Sequence, residues 1–538
     1  MANALNKVIM NGMQKTKQTV RADKRQERNS AGGYSFVASE QARLERFLIL
    51  GTDGGTYYVG ENQLTADNAE FLVELIQRDG GKAVVDTAVE ISASGRAPKN
   101  DAAIFALALV LKFGNDAGKQ AAKQAVNKVV RTGTHLFMFV DFLKNLGGIG
   151  RAKKNAIAGW YTSKTTEQVG FQAAKYRNRY GYTHRDVLRI SHPKGLDRDV
   201  AGWVLGNSYD EDALPDVVKT FLAAQRIDDE REMVELIKGS ETFFWEMLPT
   251  SLHSSAAVWE AIFYKGMGQV ALIRNLTKFQ KLGLFKSFRF TADVADQIAN
   301  EDAIRKSRIH PVQYLTVLAL AGRGRAMDGS YSSWRNRNTN DYALDGAIVS
   351  ALEKGVEVAY GNVEPSGKNT FIGLDVSGSM EWAAAGNTNM SAAAAGAAVA
   401  LILAKTEKYA KVYGFADELR DLGIGASDSF ASAMEKARGM TFGATNCAAP
   451  MEYALRHKMD VDTFIVITDN ETWAGMVHPH EALRRYNKVM GKNSKMIVIA
   501  MTPTKFTIAE PGNPNMLDIS GFDAAIPQLV ANFSAGRI

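Results

Sequence analysis

Between residues 40 and 360 the apolar positions recur with helical spacing, and glycine closes run after run. The stretch 68–78 places Phe71, Leu72, Leu75 and Ile76 on one face and stops at Gly80 and Gly81. Asn100 stands where it could cap an apolar helix that reaches Leu111 and stops before Gly114. The stretch 117–131 gathers Ala121, Ala122, Ala125 and Val129 on one stripe and ends at Gly133. The stretch 135–146 repeats the form and ends at Gly147 and Gly148. Helix pairs recurring every roughly 30 to 45 residues predict an α-solenoid of HEAT-like repeats, each pair burying its face against its neighbours, although no strict sequence repeat is present.

Near Lys368 the period changes. Thr370 to Leu374 is a short apolar run entering a loop, and an alanine-rich helix is predicted over 391–405. Residues 411–415, 463–467 and 496–500 read as strands, with helices over 429–438 and 480–490 between them. Strands alternating with helices of about a dozen residues predict a doubly wound α/β domain. The chain is therefore expected to be multidomain, α and α/β: a basic flexible arm over 1–30, a helical-repeat domain over 31–365 and an α/β domain over 366–538. Proline, glycine and serine between Gly361 and Asn369 mark the boundary.

Composition narrows the setting. With 538 residues the chain is too long for one core. Its single cysteine, Cys447, cannot form an intrachain disulfide, which suits an intracellular protein. No signal peptide is visible, and the longest small apolar run, Ala392 to Ala404, is too short to span a bilayer. A cytoplasmic, membrane-free protein is expected. The net charge of +6 says little by itself. Its distribution says more: residues 116–199 hold 16 Lys and Arg against 6 Asp and Glu, and residues 1–30 hold 7 against 2. Clustered positive charge is the footprint of a polyanionic partner, although a solvated helix face reads the same way.

The α/β part carries candidate chemistry. Asp375, Ser377 and Ser379 directly follow its first strand. In an open α/β sheet, ligands sit beyond the carboxyl ends of the strands. A carboxylate and two hydroxyls in one such loop are hard oxygen donors for Mg2+ or Mn2+. The same edge can receive Thr445 and Asp469, the latter following the strand that ends at Thr468. So few charges leave coordination to be completed by water or by a partner's oxygen. This order of parts is the metal-ion-dependent adhesion motif of von Willebrand factor A domains, which adds a protein-binding reading: capture of a carboxylate on the metal. A phosphatase of the haloacid-dehalogenase type would want a second Asp where Ser377 stands, so that reading is set aside.

Several stretches in order carry a family resemblance: Ala31 to Phe36, Arg46 to Gly51, Gly54 to Gly60, His184 to Pro193, Val258 to Ala261 and Ala271 to Leu276. In the last domain Thr468 to Thr472, Val477 to Pro479 and Phe506 to Pro511 join them. Together they resemble the Ro autoantigen (TROVE-domain) family across nearly everything after the basic arm. The resemblance implies HEAT-like repeats closed into a ring, with the A domain attached. It implies binding of small noncoding Y RNAs on the outer surface and of misfolded RNAs whose single-stranded 3′ end enters the hole. In bacteria it implies association with an exoribonuclease through Y RNA. Animal members have Ala between the two serines of the metal loop; Gly378 stands here and leaves every donor in place.

His184 falls on the family histidine implicated in Y RNA binding. Lys175, Tyr176, Arg177 and Arg179 lie upstream on an expected helix, with Arg185 following, so the cations would meet phosphates and Tyr176 or His184 would stack on a base. His192 is expected to be structural, as are His478 and His480, which have no third ligand nearby. Arg323 and Arg325 flank a glycine and could face the ring cavity. The expectation is a monomeric, non-enzymatic RNA-binding protein acting in RNA quality control. The alternative is a protein-interaction scaffold built on the metal, with an incidental basic face.

Overall fold

The structure, a computed structural model, describes residues 15–50, 61–321, 344–361, 363–381, 383–384, 387–438, 443–502, 504–521 and 523–538. The chain forms two compact units: Glu70–Ser94 with Lys99–Ile298, and Met1–Ala69 with Gly95–Pro98 and Ala299–Ile538. The motif Gly54 to Gly60, and Arg323 with Arg325, lie outside the described residues. Among the described residues no helix is long and apolar enough to cross a membrane.

The first unit is all helical, from Lys82–Ser94 and Asp101–Phe113 through to Phe288–Ile298. Most helices pack on the next one or two in chain order, which is how an α-solenoid buries its faces. Most of the expected stripe is there: Ala122, Ala125 and Val129 are buried on the helix Asp116–Val129, joined by Gly118 and Val126, while Ala121 is only half-buried. Asn115 caps that helix by accepting from the Gly118 N–H at 2.8 Å. Glycine is required at the helix start, because a Cβ on Gly118 would sit 1.9 Å from the Gly80 carbonyl oxygen. One expectation fails. Asn100 occupies the cap position of Asp101–Phe113 but makes no capping bond; its amide donates to the Val129 carbonyl at 2.5 Å. A neighbouring helix end competes for the same side chain.

The second unit is built on a six-stranded sheet of β3 (Asn369–Asp375), β6 (Tyr409–Phe415), β7 (Leu419–Ile424), β8 (Thr463–Thr468), β9 (Lys495–Ala500) and β11 (Met516–Ser520). The order is β11-β9-β8-β3-β6-β7, parallel except for β7 at one edge. Every residue of β8 is buried, as a strand covered on both faces requires. The alanine-rich helix Ala392–Thr406 is buried from Ala392 to Ala404 and packs on β3. Small residues allow that approach: a Cβ on Gly396 would lie 2.7 Å from a Leu374 methyl. Residues 383–384 and 387–391 pair as a small hairpin, β4 (Ala383–Ala384) with β5 (Asn387–Ser391).

The basic arm is not an arm over its described part. From Thr16 onward it is fastened to this second unit. Strand β1 (Gln26–Arg28) pairs with β2 (Tyr34–Val37), and β2 pairs with β10 (Phe506–Thr507) of the α/β part. Gln18, Gln26 and Asn29 are buried, and Arg25 pairs with Glu510 at 2.6 Å. The helix Glu40–Leu50 continues the attachment, where buried Arg46 meets the Asp518 carboxylate and donates to the carbonyls of Thr504 and Phe506. Charge and missing periodicity made this stretch look flexible, because its contacts are side-chain hydrogen bonds to residues more than 400 positions away.

Candidate metal and RNA sites

Strand β3 ends at Asp375, and the chain turns immediately into a short 3-10 segment, Gly378–Glu381. The Asp375 carboxylate closes that turn by accepting from the Ser377 N–H at 3.0 Å, and Ser377 Oγ lies 3.1 Å from Ser379 Oγ. From the end of β8, Thr468 Oγ1 donates to the second Asp375 oxygen at 2.6 Å. Asp469 follows Thr468 and holds the Glu471 N–H with one oxygen at 3.0 Å. The third loop is laced to the second, since the Thr445 carbonyl accepts from the N–H groups of Trp473 and Ala474. Asp375, Ser377, Ser379, Thr445 and Asp469 are each at most 4% exposed.

Burial, and next the charge of Asp469, push Asp375 up to about 7. Burial likewise raises Asp469. The two carboxylates stand at the ends of the paired strands β3 and β8, both buried. The other Asp469 oxygen, Oδ2, is buried without a hydrogen-bond partner. The Ser379 hydroxyl and the Glu471 N–H partly offset the burial of this carboxylate, and a cation facing the remaining oxygen would offset it further. Among the described residues no group of three or more His, Cys, Asp or Glu could hold a metal, so any cation here relies on hydroxyls. Two carboxylates beside Ser and Thr oxygens suit a hard divalent ion such as Mg2+ or Mn2+, with water completing its shell. The sequence reading missed Thr468, which steadies Asp375. It also missed Glu471, pushed up to about 8 by burial and then by Asp469. Thr468 and Glu471 are flanking members of a motif already singled out, but nothing in their types assigns a role.

The basic cluster is arranged differently from the expectation. The helix Thr166–Lys175 ends at Lys175, so Tyr176, Arg177 and Arg179 are not on a helix. They enter a loop in which Arg179 and Tyr182 pair across a tight turn. Tyr180 and Gly181 there have φ of 54° and 73°, the mirror-turn pattern of a two-residue hairpin. Lys175 is drawn inward, 3.5 Å from Glu246 and 5.3 Å from the ring centres of both Phe171 and Phe244. Tyr176 is half-buried. Arg177, Arg179 and Arg185 are exposed, and they donate to the neutral oxygens of Gln225, Asn178 and Leu205. Tyr180, at the turn, is 50% exposed.

His184 cannot stack on a base. It is 4% exposed, packed against Phe137 and Trp160, with Nδ1 2.8 Å from the Tyr161 hydroxyl. Burial drives its pKa down to about 3, so it is neutral. Thr183 and Asp186 cap its helix reciprocally, and that cap aims the ring inward. We expect His184→Ala to lower unfolding free energy by about 2–4 kcal/mol, from the cavity and the orphaned Tyr161 hydroxyl. The salt slope of RNA binding should stay unchanged. A normal melting curve combined with abolished binding would reverse that assignment. His478 and His480 are buried, the first joined to Gln26 and to the Val20 carbonyl, the second against Phe36.

Comparison with known proteins bears on the family and the fold. The Ro60 vWA domain family matches residues 369–534, and the TROVE domain family matches residues 27–214 and 203–323. The RNA-binding protein RO60 of Deinococcus radiodurans is 36% identical over 532 residues, covering 97% of each chain. The chain belongs to the Ro family. The RNA-binding protein RO60 of Caenorhabditis elegans is 31% identical over 591 residues, covering 95% of this Ro-family chain and 90% of the relative. The crystal structure of the Deinococcus radiodurans Ro (RSR) protein matches with a TM-score of 0.67 at 35% identity, covering 93% of this chain and all of that one.

Proposed function

We propose that this protein binds RNA without catalysing a reaction on it, and that the exposed loop 177–181, together with Arg185 at the start of the next helix, is a principal contact on the helical unit. The observation that carries this is the solvent-facing trio Arg177, Arg179 and Arg185, hydrogen-bonded to neutral oxygens in a stretch with a surplus of ten positive charges. Guanidinium groups of this kind meet phosphate, and Tyr180 takes the stacking role first considered for Tyr176 and His184. The names of the relatives support an RNA ligand. Within that reading the partners are small structured RNAs of the Y class and misfolded RNAs with a free 3′ end. An exoribonuclease would be recruited through the bound RNA, in the cytoplasm. The second site is proposed to hold Mg2+ or Mn2+ through Asp375, Ser377, Ser379, Thr445 and Asp469. The unpartnered Asp469 oxygen is what favours this. A bound cation there would neutralise the paired carboxylates and present a vacant position to water or to an acidic group of a partner.

A competition at fixed salt tests the RNA reading. One hairpin is made blunt, with a 3′ tail, or with a 5′ tail of equal length. Recognition of RNA ends requires the 3′-tailed form to bind several-fold more tightly than the 5′-tailed form, with little dependence on tail sequence. Equal affinity of the two tailed forms would remove end recognition and leave surface binding. No binding of any form would remove the RNA reading.

A further inference from the structure

The segment from Thr16 to Phe36 plays no part in the RNA reading, yet it is built into the loops that carry the candidate metal donors. Gln18 is fully buried, and its side chain spans two of them. Its Nε2 donates to Asn446 Oδ1 and to the Val477 carbonyl, both at 2.9 Å. Its Oε1 accepts from Thr472 Oγ1 at 2.5 Å and from the Gly475 N–H at 3.2 Å. Asn446 adjoins Thr445. Thr472 lies three residues after Asp469 and in turn accepts from the Cys447 N–H at 3.0 Å. One amide thus ties the Thr445 loop to the Asp469 loop, with its oxygen and nitrogen both satisfied.

The neighbourhood is shaped for this side chain. A Cβ on Gly475 would lie 2.2 Å from Gln18 Nε2, so only glycine leaves room. Around it, Asn29 donates to the Thr472 carbonyl at 2.8 Å, and the Ala31 N–H donates to Glu471 at 3.0 Å. A Cβ on Gly33 would meet the Thr472 carbonyl oxygen at 2.0 Å. Loops at the edge of an open sheet have no ladder to fix their spacing, and cation affinity depends on donors held in advance. We propose that Gln18 is a positioning residue for the cation site, holding the Thr445 and Asp469 loops at the separation a divalent ion needs. The proposal rests on the metal reading above.

The test uses the full chain and Mn2+ as probe, with free Mn2+ followed by electron paramagnetic resonance and stability by thermal melting in chelator. Gln18→Ala and Asn29→Ala should each weaken Mn2+ binding by about 10-fold or more, as loss of outer-shell support does. Gln18→Glu keeps the acceptor for Thr472 and Gly475 and should fall between wild type and Gln18→Ala. Gln26→Ala is the control: Gln26 is equally buried in the same segment but contacts His478, away from the donor loops. It should lower the melting temperature and leave Mn2+ affinity alone. Wild-type affinity in Gln18→Ala and Asn29→Ala overturns the proposal, as does equal weakening in Gln26→Ala, which would mean general loosening. If Gln18→Ala does not fold, Gln18→Glu and Asn29→Ala decide by the same criterion. If the wild-type chain itself takes up no Mn2+, the metal reading falls first and carries this proposal with it.

Discussion

Asp375→Asn is expected to weaken Mg2+ or Mn2+ binding by more than about 100-fold, beyond the 10- to 100-fold typical of outer-shell changes. The substitution keeps the shape of the side chain and removes one of only two buried charges in the donor set. Titration calorimetry reads the affinity directly. In the wild type, a cation present at about 100 times its dissociation constant should add about 2.7 kcal/mol to unfolding stability, and in the variant at most about 0.4 kcal/mol. The metal-free chain supplies a second readout through pH. Asp375 is raised in the folded state, to about 7 against a usual 3.8, by burial and by Asp469. The folded chain then holds a proton that the unfolded chain releases. Stability without metal should therefore fall as pH rises from about 4 to about 7, then level off. Metal affinity should climb over the same window, since the cation competes with that proton. In chelator at pH 8 the Asn variant should melt higher than wild type. RNA affinity should be unchanged in the variant. Unaltered Mg2+ affinity in Asp375→Asn would remove the site assignment.

The other large effect is expected from Arg177, Arg179 and Arg185 replaced together by Ala. Every phosphate left without its guanidinium takes about 0.7 to 0.9 from the slope of log affinity against log salt, so the slope of the triple variant should be shallower by about 2. Between 50 and 200 mM salt, a slope shallower by 2 means that affinity falls about 16-fold less than in wild type. Lys175→Ala should change the slope much less, because Glu246 already partners that ammonium at 3.5 Å. Tyr180→Ala should reduce affinity for unpaired bases with no change of slope, since stacking releases no counterions. A triple variant with the wild-type slope would mean that these three arginines are only a solvated surface.

Much of the architecture was legible in the chain itself. Helical apolar spacing and glycine stops gave the solenoid, and the change of period near Lys368 gave the α/β sheet, because local pattern sets secondary structure. Asp375, Ser377 and Ser379 were legible as candidate donors, because one short loop supplies all three at a strand end. Thr445 and Asp469 were legible through their places after glycine and after β8. Tertiary structure alone decided the rest. It took His184 and Lys175 inward, since nothing in a residue's type tells whether a helix cap or a distant Glu246 will claim it. It ended the helix at Lys175 and so put Arg177 and Arg179 in the loop that follows, with Arg185 on the next helix. It also recruited Gln18 and Asn29 from a stretch that looked flexible into the support of loops more than 400 residues away. Local pattern determines elements; contacts distant in sequence have no local signature, so only the folded chain shows which polar side chains are free to bind and which are already engaged.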